Sequence, residues 1–163
     1  MKTTNQLERD CASLRLHKNQ QTLFELTCAH GDAPAALYLE NGEEKSLSFS
    51  DYRRMTDDYA ACLSRAFPQG GRVAILLDTC KEWFPVFWGV ARSGHGALLI
   101  DAALSDRAVA RLLSEADCTA VVTQKPRDLP ADVRQLTADE LFAAPRAEGF
   151  QPVYGDGVAL CTS

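Results

Sequence analysis

The chain has 163 residues, enough for one domain or the larger part of one. Its residues are 46% hydrophobic and 24% charged, and the formal net charge is −5 with no Lys/Arg cluster beyond the pair Arg53-Arg54. That balance suits a soluble globular domain and argues against a nucleic-acid or membrane-surface partner, both of which need a concentrated positive field.

The N-terminus, "MKTTNQLERD", is polar and carries no apolar core of a secretory signal. The most apolar stretch, "WFPVFWGVA" (83–91), is far shorter than the ~20 residues of a membrane span. Cysteines stand at 11, 28, 62, 80, 118 and 161, never in a C-x-x-C pair, and so read as small core residues of a reduced, cytoplasmic chain. Residues 1–19 read as a polar extension, and 20–163 as one structural unit.

In chain order, "QQTLFELTCAH" (20–30) predicts a short helix closed by Gly31. "AALYLENGEEKSLSF" (35–49) predicts a hairpin with strands Ala36–Leu39 and Ser46–Phe49. Asn41-Gly42 tolerates the positive φ of its turn. Ser50 is expected to cap the next helix. Tyr52, Met55, Tyr59, Cys62, Leu63 and Ala66 form a stripe of 3.6-residue period in that helix.

Val73–Leu77 is a continuous apolar run, as in a strand covered on both faces. A helix follows and ends at Gly94. Proline is tolerated only in a first helical turn, so Pro85 places the helix start near Glu82 rather than at a Thr79/Glu82 capping box. Residues 96–100, "GALLI", form the second buried strand, giving a βαβ unit with parallel strands.

A third cycle follows. Ser105 caps "DRAVARLLSEAD", and "CTAVVT" (118–123) is the next strand. The stretch 124–152 is looser; within it "VRQL" reads as a short strand and "TADELFAA" as a short helix with a Thr137/Glu140 capping box. Val158–Cys161 reads as a final buried strand, running into Thr162 and Ser163. The fold class is α/β: a mainly parallel layered sheet preceded by a helix and a β-hairpin.

Several residues carry both a functional and a structural reading. His17, His30 and His95 have no Cys, Ser or carboxylate at a triad or metal spacing and read as surface or turn residues. His95, between Gly94 and Gly96, is the one in a position that often borders a ligand. Trp83, Phe84, Phe87 and Trp88 either pack their helix on the sheet or line an apolar pocket. Asp78 and Asp101 both follow parallel strands. They lie either where ligands bind in open α/β sheets or where Asp caps a turn. No G-x-G-x-x-G follows Val73–Leu77, so the dinucleotide fingerprint is absent.

The ordered set of these segments resembles the N-terminal part of the adenylate-forming enzymes: acyl- and aryl-CoA synthetases, luciferases and peptide-synthetase adenylation domains. "SLSFSDYRRMTDDYAACLSRAF" is similar to the family's "T-Y-x-E-L" segment and helix. "GGRVAILLDTCKEWFPVFWGVARSGHGALLID" is similar to its "G-D-R-V-A-I" strand, "N-x-x-E-W/F" helix and "K-A-G-A" turn and strand. "DGVALCTS" resembles the strand entering the phosphate loop "T-S-G-[ST]-T-G-x-P-K-G", with Thr162 and Ser163 as its first two residues. Gly71, the Asp78-Thr79 pair and Leu99 depart from the family pattern. These departures bear on the subfamily rather than the fold.

The resemblance implies ATP and magnesium as cofactors, a small-molecule carboxylic acid as substrate, and CoA or a carrier-protein thiol as acyl acceptor. Only Thr162 and Ser163 of the phosphate grip fall within the chain. It is therefore expected to be an N-terminal fragment of an ATP-dependent acyl- or aryl-CoA ligase, catalytically incompetent alone. It is also expected to self-associate through an unpaired strand edge. The alternatives are a stand-alone non-catalytic module on the same scaffold, or an unrelated doubly wound binding domain.

Overall fold

The computed structural model describes residues 20–67, 70–118, 120–145, 148–155 and 157–160. Helix α1 (Gln20–Cys28) leads into a hairpin of β1 (Pro34–Glu40) and β2 (Glu43–Ser48). Asn41 and Gly42 sit in its turn at φ 54° and 82°, as Asn-Gly allows.

Helix α2 (Phe49–Ala66) begins earlier than expected. Its N-cap is Ser48, not Ser50. Serines occur at 46, 48 and 50, and the local pattern does not choose among them. Asp51 chooses. Its backbone N–H donates to Ser48 Oγ at 3.0 Å, and its carboxylate accepts from Ser48 N at 3.1 Å and Ser48 Oγ at 2.8 Å. That reciprocal box satisfies two otherwise orphaned donors. It makes Phe49 helical instead of the last residue of the strand.

β3 (Arg72–Leu76), α3 (Trp83–Arg92), β4 (Gly96–Leu99), α4 (Asp106–Glu115) and β5 (Ala120–Thr123) follow the expected alternation. Glu82 is the N-cap of α3, so Pro85 falls in the first turn, where its missing N–H costs nothing. Ser105 caps α4, accepting from Ala108 N. β6 (Arg134–Thr137) leads into α5 (Ala138–Phe142), whose Thr137/Glu140 capping box is present as expected.

β3 to β7 form a five-stranded sheet in the order β6-β5-β3-β4-β7, and all four pairings are parallel. β7 is Val158–Leu160. The sheet is covered on both faces. Val73, Ile75, Leu77 and Val122 pack against Tyr59 and Leu63 of α2 and Val86 and Val90 of α3. Ala74, Leu76, Leu98 and Val121 pack against Val109 and Leu113 of α4. Each fully buried aliphatic side chain here contributes about 1.5–3 kcal/mol.

β7 departs from the buried strand expected of Val158–Cys161. It is an edge strand, with Val158 48% and Leu160 68% exposed. Cys161 lies outside the described residues. Among the described residues no helix is long and apolar enough to cross a membrane.

Candidate functional site

The strand order creates a crevice. The chain leaves β3 through α3 on one face of the sheet and leaves β4 through α4 on the other. Two neighbouring strands whose connections part to opposite faces open a gap at their carboxyl ends, where α/β folds bind ligands. Leu77, Asp78, Thr79 and Trp83 form one wall. Leu99, Ile100, Asp101 and Ala102 form the other, around a volume of ≈ 300 Å³.

Asp78 and Asp101, distant in sequence, thus meet at one site. Asp101 also serves its own loop, its Oδ1 accepting from Ala103 N at 2.9 Å. The turn-capping and site-lining readings both hold for it. The crevice walls carry two carboxylates, one hydroxyl, an indole and no Lys or Arg. This donor set does not suit a phosphate anion.

Each wall is tied to structure outside the crevice. On the β3 side, Lys81 Nζ donates to Glu40 Oε1 at 3.0 Å and lies 4.5 Å from the centre of the Tyr38 ring. Glu40 also accepts from Lys45 at 2.6 Å. The hydrogen bonds from Lys45 and Lys81 hold the Glu40 carboxyl down to about 2. On the β4 side, the loop 102–106 is held by Arg127.

β7 reaches the same edge. Leu160 pairs with Leu99 in parallel register, so the strand preceding Thr162 and Ser163 runs toward the end of the sheet that carries the crevice. Thr162 and Ser163 themselves lie outside the described residues.

The remaining candidates separate. His95 is 1% exposed, its Nδ1 2.8 Å from Ser93 Oγ, in the turn before β4 at the opposite end of the sheet. It is neither a surface residue nor part of the crevice. His30 is exposed against the Phe49 ring, and His17 lies outside the described residues. Trp83 and Phe87 stack 5.8 Å apart at the margin of the core, which fits the packing reading, whereas Phe84 is 56% exposed. Burial pushes the thiols of Cys28, Cys62, Cys80 and Cys118 up, away from the thiolate form. Cys11 and Cys161 are outside the described residues. Among the described residues no group of three or more His, Cys, Asp or Glu is placed to hold a metal ion.

Sequence reasoning missed one polar centre. Arg92 has a side chain only 5% exposed. Its Nη2 donates to Asp57 Oδ1 at 2.6 Å and its Nη1 to Tyr154 Oη at 2.5 Å, and its guanidinium lies 4.1 Å from the centre of the Phe24 ring. One residue thereby joins α1, α2, α3 and the segment before β7. The available signal was a lone cation in the otherwise apolar run "WFPVFWGVAR".

Comparison with known proteins follows the same outline. A family model described as AMP-binding enzyme matches residues 24–153. No curated protein sequence matches at a significant level. Among solved structures, the nonribosomal peptide synthetase FmoA3 bound to AMPPNP is 27% identical with a TM-score of 0.68, over 82% of this chain and 14% of that one. The fatty acyl-adenylate ligase of L. pneumophila, in complex with acyl adenylate and pyrophosphate, is 19% identical with a TM-score of 0.62, over 81% of this chain and 25% of that one. The N-terminal subdomain of Klebsiella oxytoca NpsA, in complex with 3-hydroxybenzoyl-AMSN, is 16% identical with a TM-score of 0.75, over 90% of this chain and 38% of that one. At their identities the last two show likeness of fold alone. This chain spans between 14% and 38% of the length of these three structures.

Proposed function

Because this chain belongs to the AMP-binding enzyme family, we propose that residues 20–163 form the opening portion of an adenylating domain, preceded by a polar extension over residues 1–19. In the whole enzyme, a carboxylate oxygen attacks the α-phosphorus of ATP. This forms an acyl-adenylate and releases pyrophosphate. A thiol then attacks the acyl carbon and displaces AMP. CoA is the acceptor in the reading as an acyl- or aryl-CoA ligase. The peptide synthetase at 27% identity favours a carrier-protein thiol as the second reading. Magnesium would neutralise part of the triphosphate charge.

The observation that carries this reading is the course of β7 beside β4 toward the crevice end of the sheet, with Thr162 and Ser163 close after it in the sequence. Phosphate grips of this kind use oriented backbone N–H groups after a strand. The crevice, lined by Asp78 and Asp101, would repel the triphosphate. We therefore assign phosphate contact to the loop starting at Thr162 and a non-anionic part of the assembly to the crevice.

Only Thr162 and Ser163 of the grip lie within these residues, so the 163-residue chain alone is expected to give no ATP–pyrophosphate exchange with any carboxylic acid and no tight ATP binding. Exchange by this polypeptide, measured against a panel of aliphatic, aromatic and amino acids, would refute the incompetence. A coding frame that runs on past Ser163 into a glycine-rich segment ending in Pro-Lys-Gly supports the ligase reading. A stop codon there supports the non-catalytic module. The apolar edge of β7 is the surface through which we expect the isolated chain to self-associate. A cytoplasmic location belongs to the same proposal.

A further inference from the structure

The two walls of the switch-point crevice are held by different kinds of contact, an ion pair on one side and an ion pair with two backbone carbonyls on the other. The β3-side tie is a Lys81–Glu40 ion pair whose side chains are 28% and 41% exposed, supplemented by the Tyr38 ring. Pairs this exposed are weak and screened by salt.

The β4-side tie is of another kind. Arg127 Nε donates to Asp106 Oδ1 at 2.5 Å, Nη1 to the Ala102 carbonyl at 3.1 Å and Nη2 to the Leu104 carbonyl. Its side chain is 20% exposed and that of Asp106 37%, so the two backbone carbonyls rather than the ion pair set this tie apart. The backbone N–H of Asp128 donates to the other Asp106 oxygen at 3.0 Å. Arg127 is itself fixed on β6: its N–H donates to Gln135 Oε1 at 3.1 Å, and its carbonyl accepts from Gln135 Nε2 at 3.0 Å. A continuous chain of hydrogen bonds thus runs from β6 to the loop that carries Asp101 and Ala102.

We propose that Arg127 is a positioning residue that sets the β4-side wall of the crevice. The residue type matters. Two carbonyls and a carboxylate diverge around one planar guanidinium, and a lysine ammonium, being a single point charge, does not reach all three. Arg127 touches no crevice surface itself. It acts through Ala102 and Leu104. The consequence for ligand binding rests on the reading of this crevice as the ligand-side edge; the clamp does not.

The test is hydrogen–deuterium exchange of the 163-residue chain without nucleotide, comparing wild type, Arg127→Met and Arg127→Lys. In Arg127→Met, exchange in peptides covering 101–106 should rise about tenfold while peptides covering 84–92 stay within about twofold. Arg127→Lys should fail to restore protection at 101–106. In a Trp88→Phe background, acrylamide quenching of Trp83 should increase with Arg127→Met, because Trp83 faces that wall. Adding about 1 M salt should raise exchange at 77–82 more than at 101–106 in the wild type, because the bonds to the Ala102 and Leu104 carbonyls remain when the Asp106 pair is screened. Unchanged exchange at 101–106 in Arg127→Met overturns the proposal. So does a uniform rise over all peptides in both variants, which marks a general stability effect, or full protection in Arg127→Lys. Because no nucleotide is used, a failed clamp leaves the adenylation reading standing, and a chain active in pyrophosphate exchange leaves the clamp standing.

Discussion

Gly155→Ala should loosen the segment that feeds β7. Residues 153–155 run along the end of α3: Val153 N donates to the Arg92 carbonyl at 3.0 Å and Gly155 N to the Ala91 carbonyl at 2.9 Å. A Cβ on Gly155 would stand 2.1 Å from the His95 carbonyl oxygen, 2.2 Å from its carbon and 2.8 Å from its nitrogen. These are backbone atoms of a residue 1% exposed, with its ring held by Ser93 and edge-on to Phe67. His95 is therefore expected to stay and the 153–155 segment to move. That forfeits the hydrogen bond to Ala91, about 1 kcal/mol, and adds overpacking strain of about 1–3 kcal/mol. The sum is about 2–4 kcal/mol, or a fall in Tm of about 5–15 °C for a domain of this size. Urea unfolding followed by circular dichroism measures the loss. Exchange at the Ala97 amide, bonded to the Gly157 carbonyl at 2.9 Å, localises it. Gly31→Ala is the control: its φ is +56° with nothing within 4 Å, so it carries only backbone strain of about 1–2 kcal/mol. A Gly155→Ala chain with the wild-type urea midpoint would show that the close approach to His95 does not constrain the fold.

Asp57→Asn leaves the Arg92 guanidinium buried with Glu25, at 3.9 Å, as its one remaining counter-charge among the described residues. The cost should be about 2–3 kcal/mol in urea unfolding, below that of a fully buried pair because Asp57 is 31% exposed; a loss under about 0.5 kcal/mol would contradict a buried charge centre. The Glu40 carboxyl, held down to about 2, lies below its unfolded value of about 4.3. Its contribution is then present above about pH 4.5 and disappears as pH falls through about 2. A carbon-13 titration should find that midpoint, and Lys81→Met should raise it; a midpoint already near 4 in the wild type removes the Lys81 tie. Leu160→Lys places a charge on the exposed edge of β7 and should shift the chain toward monomer in light scattering at high concentration. A wild-type chain that is already a monomer there contradicts association through that edge.

The sequence determined what depends on neighbours along the chain. Continuous apolar runs at 73–77 and 96–100 gave covered strands, and Ser105 and the Thr137/Glu140 box gave helix starts, because caps and periodicity are local. Pro85 located α3 for the same reason. Local signal failed where several residues competed, as with Ser48 and Ser50, and the reach of Asp51 decided between them.

Only the tertiary structure decided the strand order β6-β5-β3-β4-β7. The apolar runs at 73–77 and 96–100 said that a strand is covered, not which strand lies beside it, and the run at 158–161 did not foretell an exposed edge. That order brought Asp78 to Asp101, set β7 on an exposed edge, and made Arg92 and Arg127 centres of contact between distant segments. Between two glycines, His95 reads as a surface or turn residue in a position that often borders a ligand. In the fold, Gly94 turns the chain at φ 87° into β4, and His95 is buried beneath Gly155. Side chains meeting across a sheet leave no period in the sequence, so the site had to wait for the strands to be laid side by side.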